Sequence, residues 1–424
     1  MLRDELRSQI TPLREEVSRL VADHGDEAIS SVSVAQAYGG MRGVKSLVCD
    51  TSEVDPDKGV KYRGIPLSEL TERLPEEIFY LLLLGKLPTA AALKDLQGEL
   101  ASRNEVPRWV LDLIRKAPLT SHPMALLSLA ILAMEDGSKF RARYNEGMSK
   151  NDYWEAALDD SLDVLAKLPT LAAAVYRIRY ELGDLIPSDP KLDWSANLAH
   201  QMGVRDDSGK LAELMRGYLT LHADHEGGNV SAFVCHTAGS ALADPYYCVS
   251  AGLNGLAGPL HGLANQECLR FHLAIRDEFG GVPTKEQLTK YAWDLLKSGR
   301  VIPGFGHAVL RSIDPRYIAM RDFALKNCPD AELFRLANLM YEVIPGVLTQ
   351  QGKAKNVQPN VDALSGVLLY IFGVTQPRFY TPIFGVSRAI GMLAQLVLNR
   401  VIGTPITRPK SVTTAWIKTQ VGTK

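Results

Sequence analysis

From Pro66 onward the sequence is a long succession of apolar residues recurring at steps of three and four, cut into pieces by glycine and proline. Residues 75–84, 90–103, 107–117, 123–135, 154–165, 171–182, 285–297 and 330–350 all carry this 3.6-residue period, which is that of a helix with one buried face. Strand-like alternation is almost absent after residue 65, so a sheet-based architecture is excluded and an all-α fold is predicted. The 34 glycines and 23 prolines act as joints between medium-length helices. Upstream, Leu2, Leu6, Ile10, Leu13, Val17 and Leu20 mark an amphipathic helix with a kink expected at Pro12. A short β-branched run follows at 31–34, and residues 46–63 are expected to hold short strands around Asp55-Pro56-Asp57-Lys58-Gly59. Residues 138–151 read as a basic connector and 187–190 as a further break.

A chain of 424 residues with 46% hydrophobic content is long enough for two or three domains around a large core. The net charge of -1 excludes a nucleic-acid polyelectrolyte, so any anion site must be a local cluster of basic residues. Cys49, Cys235, Cys248, Cys268 and Cys328 lie far apart with no C-x-x-C pair, which argues against a disulfide framework or a structural zinc site. The longest apolar runs, 79–84 and 389–398, read as buried helices rather than membrane spans. Acids stand at the N-terminus from Asp4 on, unlike a signal peptide or an organelle presequence. Bacterial cytoplasm is therefore the expected location, with the mitochondrial matrix as the alternative for a processed chain.

Several short stretches carry chemistry. In Gly258-Pro-Leu-His-Gly-Leu-Ala-Asn-Gln-Glu267, Pro259 suits the first turn of a helix, which places His261 near the positive helix end. An imidazolium is disfavoured there, and a neutral ring can polarise a carbonyl or hand a proton to a forming enolate. In Pro303-Gly-Phe-Gly-His307 two glycines pin a second histidine in a constrained loop, followed by Arg311, and Arg316 stands at a helix start. Asp362 falls in the first turn of another helix, where a carboxylate ordinarily caps. Arg388 sits in an apolar helix and needs a partner or a bound anion. His222 and His225, three apart beside Asp224 and Glu226, admit a metal, a buried polar turn or a ligand-facing turn. Gly227-Gly228 breaks the helix that a zinc pair at i, i+4 would need. Arg42 in a glycine-rich turn, and Lys353 with Lys355 beside Gly352, are candidates for phosphate contact. Cys235-His236 reads as structural, because adjacent helical residues face different ways.

Taken together, the segments Tyr38-Gly-Gly-Met-Arg-Gly43, HEGGN, GPLHGLANQE, PGFGHAVLR, DPRY, QGKAKN, NVDA, FGVSRA and RPKS resemble citrate synthase of the mitochondrial type, which some bacteria also carry. The resemblance spans nearly the whole chain. It implies an almost all-α homodimer with minor β near the N-terminus. It also implies a large domain (1–262 plus 374–424) and a small domain (263–373) that close over the substrates. The implied reaction condenses acetyl-CoA with oxaloacetate and water to give citrate and CoA, through enolisation, aldol-type condensation and thioester hydrolysis. By the same resemblance His261 is the proton-transfer histidine, His307 the carbonyl-polarising one and Asp362 the base. Oxaloacetate falls to His225, Arg316, Arg388 and, across the subunit interface, Arg408. Coenzyme A falls to Arg42, Val301, Gly304, Gly306, Arg311, Lys353 and Lys355. No permanently bound cofactor, metal, nucleic acid or membrane is implied; a coenzyme A thioester is a co-substrate.

The sequence departs from that pattern at Leu364, Phe305 and Phe233, where relatives often carry a polar or aromatic residue, Tyr and His, respectively. These changes bear on the acyl pocket. One methylene shifts specificity by only ~1–3 kcal/mol, so 2-methylcitrate synthase, which uses propionyl-CoA, is the alternative. A silent scaffold of the same fold would be expected to have lost at least one of these acids, bases or arginines. A zinc hydrolase on His222 and His225 lacks a third ligand.

Overall fold

The computed structural model describes residues 1–307 and 309–423. The chain opens with α1 (Leu2–His24) and the short α2 (Val34–Tyr38), then an antiparallel ribbon of β1 (Ser52–Asp55), β2 (Gly59–Tyr62) and β3 (Ile65–Pro66). Helices follow without interruption by strands: α3 (Pro75–Leu84), α4 (Ala90–Ser102), α5 (Arg108–Lys116), α6 (Pro123–Ala133), α7 (Lys139–Asn145), α8 (Tyr153–Arg179), α9 (Trp194–Met202) and α10 (Lys210–Leu221). Next come α11 (Val230–Ser240), α12 (Pro245–Leu256), α13 (Ala264–Phe279), α14 (Lys285–Lys297) and α15 (Pro315–Asn327). The last four are α16 (Glu332–Gln351), α17 (Asp362–Ile371), α18 (Tyr380–Ile402) and α19 (Thr414–Gln420).

The all-α expectation holds, with strands confined to the N-terminal region. Two local expectations do not. The helices expected at 154–165 and 171–182 are a single 27-residue rod, α8, with Pro169 inside it. Proline's fixed φ is helical, and burial of the rod against α18, α9 and α7 outweighs the lost hydrogen bond. The β-branched run at 31–34 forms no strand; Ser33 instead caps α2 in a reciprocal capping box with Gln36. Part of the basic connector is helical as α7, capped by the Ser138 hydroxyl on the Arg141 N–H.

The organising element is α18. Nearly all its side chains are buried, because α3, α8, α10, α11, α12 and α13 all pack on it. The stretch 377–402 is long and apolar enough to cross a membrane, but its apolar window is wholly buried inside the fold. Burying each Leu, Ile or Val along it contributes roughly 1.5–3 kcal/mol. A second apolar cluster, including Ile275, Leu288, Leu295, Ile302, Met340 and Ile344, is built only from residues within 263–373.

The ribbon β1–β2 has a specific job, which is to brace the turn that carries His225. The Ser52 hydroxyl donates to the buried Asp224 carboxylate at 2.9 Å and accepts the Glu226 N–H at 2.8 Å. The Glu226 carboxylate in turn accepts the Val54 N–H at 2.8 Å. Glu226 itself has φ +60°, a conformation that costs a non-glycine residue energy and here persists because both its ends are tied down.

Candidate active site

His225 follows α10 in the turn that leads to α11. Asn229 caps α11: its side-chain oxygen accepts the Ala232 N–H (3.1 Å), the Ser231 hydroxyl (2.7 Å) and Nη1 of Arg388 (2.8 Å). The same amide's Nδ2 donates to the carbonyls of His225 and Glu226 at 2.9 and 2.8 Å, so one cap orders the whole turn. The His225 ring lies 5.6 Å from that of His307, and its Nε2 is buried without a hydrogen-bond partner among the described residues. Burial, then the charges of Arg316 and Arg388, push the His225 ring well below the ordinary histidine range.

His307 ends a loop whose shape depends on glycine. Gly304 and Gly306 have φ +82° and +91°, and a Cβ on Gly304 would lie 2.8 Å from the Ala363 backbone. The loop is zipped to residues 356–360: Gly306 N–H donates to the Gln358 carbonyl (2.9 Å), Asn360 N–H to the Gly304 carbonyl (2.9 Å), and Asn360 Nδ2 to the Gly306 carbonyl (2.8 Å). His307 Nδ1 accepts the N–H groups of Val309 and Leu310 at 3.1 and 2.9 Å. Two permanent donors on Nδ1 leave the ring proton on Nε2. Burial and Arg316 hold the ring down at about 4, so it is neutral at physiological pH.

His261 shows the mirror-image tautomer. Its Nε2 accepts the Ser231 N–H at 3.3 Å and lies 3.1 Å from the Ser231 hydroxyl, so Nδ1 carries the proton. The helix expected to begin at Pro259 begins at Ala264, and His261 stands in the preceding turn, closed by its own N–H to the Gly258 carbonyl. The ring is neutral, as expected, with a value of about 4, but for a different reason. Burial dominates, followed by the charge of Arg388.

Asp362 is the first residue of α17, yet it is not a cap. No hydrogen bond reaches its carboxylate among the described residues; its N–H is taken by Asn360 Oδ1 at 3.0 Å. Burial pushes the carboxyl up to about 6, against the pull of Arg316. A half-buried carboxylate with no hydrogen bond among the described residues and a raised pKa is a competent general base near neutrality.

Two buried arginines lie within electrostatic reach of His225. Arg316 is buried on α15, its Nε and Nη2 bound to Asp314 at 3.0 and 2.8 Å. Burial raises the Asp314 carboxyl, but the charge and hydrogen bonds of Arg316 outweigh it and hold it at about 2. Arg388 is 2% exposed on α18, over the Phe384 ring at 5.0 Å, and among the described residues its hydrogen bonds go to neutral oxygens: the His222 carbonyl (3.2 Å), Asn229 Oδ1 and the Ser231 hydroxyl (3.3 Å). No carboxylate forms a salt bridge with it among the described residues. Burial lowers it to about 10 against the pull of the Asp224 charge, and a buried guanidinium bonded to neutral oxygens favours an anion beside it.

The structure therefore brings His225, His261, His307, Arg316, Arg388 and Asp362 into one cluster. The coenzyme A candidates Val301, Arg311, Lys353 and Lys355 are exposed on the loops beside it, and Arg311 donates to the Leu310 carbonyl at 2.9 Å. Arg42 and Arg408 lie on exposed segments outside the cluster. His222 and His225 belong to no group of metal-ligating residues among the described residues. Sequence reading assigned nothing to Asp314, Asn229 or Ser231. The signal for Asp314 and Asn229 was the cap position before α15 and α11, and for Ser231 the first turn of α11, which by themselves indicate only a helix start.

An all-helical scaffold carrying two neutral histidines of opposite tautomer, a raised carboxylate and buried arginines defines an acid–base enzyme for an anionic carbonyl substrate. The family described as citrate synthase, C-terminal domain, matches residues 40–410. The mitochondrial citrate synthase of Saccharomyces cerevisiae is 50% identical, covering 96% of this chain and 87% of that protein. The mitochondrial 2-methylcitrate synthase of Yarrowia lipolytica is 49% identical, covering 97% and 90%. A crystal structure of citrate synthase from Pyrobaculum aerophilum superposes with a TM-score of 0.78 at 30% identity, covering 89% of this chain and 92% of that one. The chain belongs to the citrate synthase family. The expectation of a bacterial cytoplasmic location is overturned by these relatives. The Saccharomyces and Yarrowia relatives are eukaryotic and named as mitochondrial. An acid-bearing N-terminus was a poor guide to compartment.

Proposed function

We propose that the chain is a citrate synthase: it condenses acetyl-CoA with oxaloacetate and water, giving citrate and free CoA. The observation that carries the reading is the matched protonation of three groups, Asp362 raised to about 6 and His261 and His307 neutral with their free N–H on Nδ1 and Nε2 respectively. Asp362 takes a proton from the acetyl methyl group while His261 Nδ1–H stabilises the forming enolate oxygen. Neither step then requires a free carbanion. His307 Nε2–H polarises the ketone of oxaloacetate, and the enolate carbon attacks it. Arg316, Arg388 and His225 hold the dianion, with Arg408 supplied by the partner subunit of a homodimer. The exposed basic groups Arg42, Arg311, Lys353 and Lys355 suit the coenzyme A phosphates, and Val301, Gly304 and Gly306 line its loop. Hydrolysis of the thioester intermediate drives the sequence forward. No resident cofactor is needed for these steps.

The small domain is residues 263–373, supported by its own apolar cluster. It closes on oxaloacetate, which keeps water from the enolate. Exposed apolar side chains on the N- and C-terminal segments (Ile29, Val32, Val48, Ile406 and Trp416) support a dimer partner there. The deciding experiment is free-thiol release with oxaloacetate plus acetyl-CoA or propionyl-CoA, on the wild type and Asp362→Asn. Faster acetyl-CoA turnover that collapses in the variant is the expected result. Preference for propionyl-CoA moves the reading to 2-methylcitrate synthase, which the 49% identity to such an enzyme keeps in play.

A further inference from the structure

Asn265, the second residue of α13, stands where three helices meet. It is 1% exposed, and its Nδ2 donates to the phenol oxygen of Tyr218 on α10 at 3.0 Å. Its backbone carbonyl presses on Gly366 of α17, where a Cβ would lie only 2.6 Å away. His261 precedes Asn265 by four residues, and Asp362 precedes Gly366 by one helical turn. One buried amide is thus tied, through short and stiff connections, to both members of the acid–base pair.

Tyr218 extends the chain of contacts to the oxaloacetate side. Its ring stacks on His222 with centroids 4.2 Å apart at 21°, and its carbonyl accepts His222 Nδ1–H at 2.8 Å. The His222 carbonyl in turn accepts from Arg388. Burial first, and then the Asp362 charge, disfavour ionisation of the phenol, which puts that carboxylate within electrostatic reach of it. None of Tyr218, Asn265 and Gly366 is needed by the chemistry described above, and Asn265 crosses from the small domain to the large one.

We propose that the Tyr218–Asn265 hydrogen bond is a positioning contact that fixes the placement of His261 relative to Asp362, so that the first proton transfer depends on two side chains that touch neither substrate. This rests on the assignment of those two residues as acid and base.

The test is a double-mutant cycle on thiol release with acetyl-CoA and oxaloacetate, using Tyr218→Phe, Asn265→Leu and the double variant. Tyr218→Phe removes only a hydroxyl from a buried ring; Asn265→Ala replaces Asn265→Leu where the latter does not fold. Each single change is expected to lower kcat about 10- to 100-fold, with KM for oxaloacetate within about twofold. The double variant should be no slower than the slower single, because both break one bond. The isotope effect with methyl-deuterated acetyl-CoA should grow, since proton removal is the step slowed. An unchanged kcat in folded Tyr218→Phe, losses that multiply in the double variant, or a rise in oxaloacetate KM in place of the fall in kcat overturns the proposal. Wild-type turnover that dies in Asp362→Asn while Tyr218→Phe runs normally refutes this inference alone; no turnover in the wild type refutes the enzyme reading.

Discussion

Tyr380 and Thr381, adjacent in the first turn of α18, hold the two places where the chain passes between residues 263–373 and the rest. The Tyr380 phenol donates to the Val374 carbonyl at 2.7 Å, and the Thr381 hydroxyl donates to the Gly262 carbonyl at 3.0 Å. Both are buried, so both crossings hang from one rigid helix end. Thr381→Val leaves the Gly262 carbonyl without its partner and is expected to cost about 1–3 kcal/mol in urea unfolding. With both crossings fixed and a separate apolar cluster beyond them, oxaloacetate should contract the wild-type solution scattering profile. Superimposable profiles with and without oxaloacetate would count against closure.

Among the described residues no hydrogen bond reaches the Asp362 carboxylate, which leaves it free for the proposed role of base. Asp362→Asn keeps the shape and removes the base, so kcat should fall roughly 10²- to 10⁴-fold in the thiol-release assay. Stability should change little, since no bond to the carboxylate is lost among the described residues. A variant with near-normal kcat would remove Asp362 from the mechanism.

The pH profile separates the base from the histidines. Burial raises Asp362 to about 6 and lowers His261 and His307 to about 4. In the proposed mechanism the base works deprotonated and both rings work neutral, so kcat/KM for acetyl-CoA should rise with pH through a one-proton limb at about 6 and then level. A limb centred near 4 would show that the raised carboxylate is not the titrating group.

The Asp314 carboxylate serves Arg316 and, through Oδ2, the Val361 N–H at 3.2 Å, one residue before the base. Asp314→Asn should raise oxaloacetate KM at least ~10-fold and destabilise the fold by about 3–5 kcal/mol, the usual cost of stripping one partner from a buried pair. Because Arg316 lowers the folded carboxyl from 3.8 to about 2, the pair's contribution is whole above about pH 4 and is lost as pH falls through about 2. Steady-state kinetics and acid unfolding measure the two effects.

Arg408 lies on an exposed segment whose preceding residue, Thr407, is pinned through its N–H to the Ser240 hydroxyl at 3.0 Å. If it serves the neighbouring subunit's site, co-expressed Arg408→Ala and Asp362→Asn chains should recover about a quarter of wild-type activity through mixed dimers, each with one intact site. Recovery absent from confirmed mixed dimers would place Arg408 outside the site.

Helices such as 285–297 and the glycine-pinned His307 loop were legible in the sequence, because periodicity and punctuation are local; the grouping of His261, Asp362 and the arginines into one site came from the family resemblance, not from any local pattern. Pro169 was misread as a break. A proline's effect on a helix is local, whereas the burial that carries α8 through it is not. His261 was rightly read as neutral, but through a helix end it does not occupy.

By itself, then, the sequence determined the helical period, the joints and the residue types that chemistry of this kind requires, since each depends on neighbours a few positions away. Only the tertiary structure decided which nitrogen of each histidine keeps its proton, that Asp362 stands unbonded and raised, and that Arg388 is buried among neutral oxygens. Those properties come from groups brought together across long stretches of chain, Ser231 to His261 and Arg388 to Asn229, and desolvation exists only once the core has closed around them.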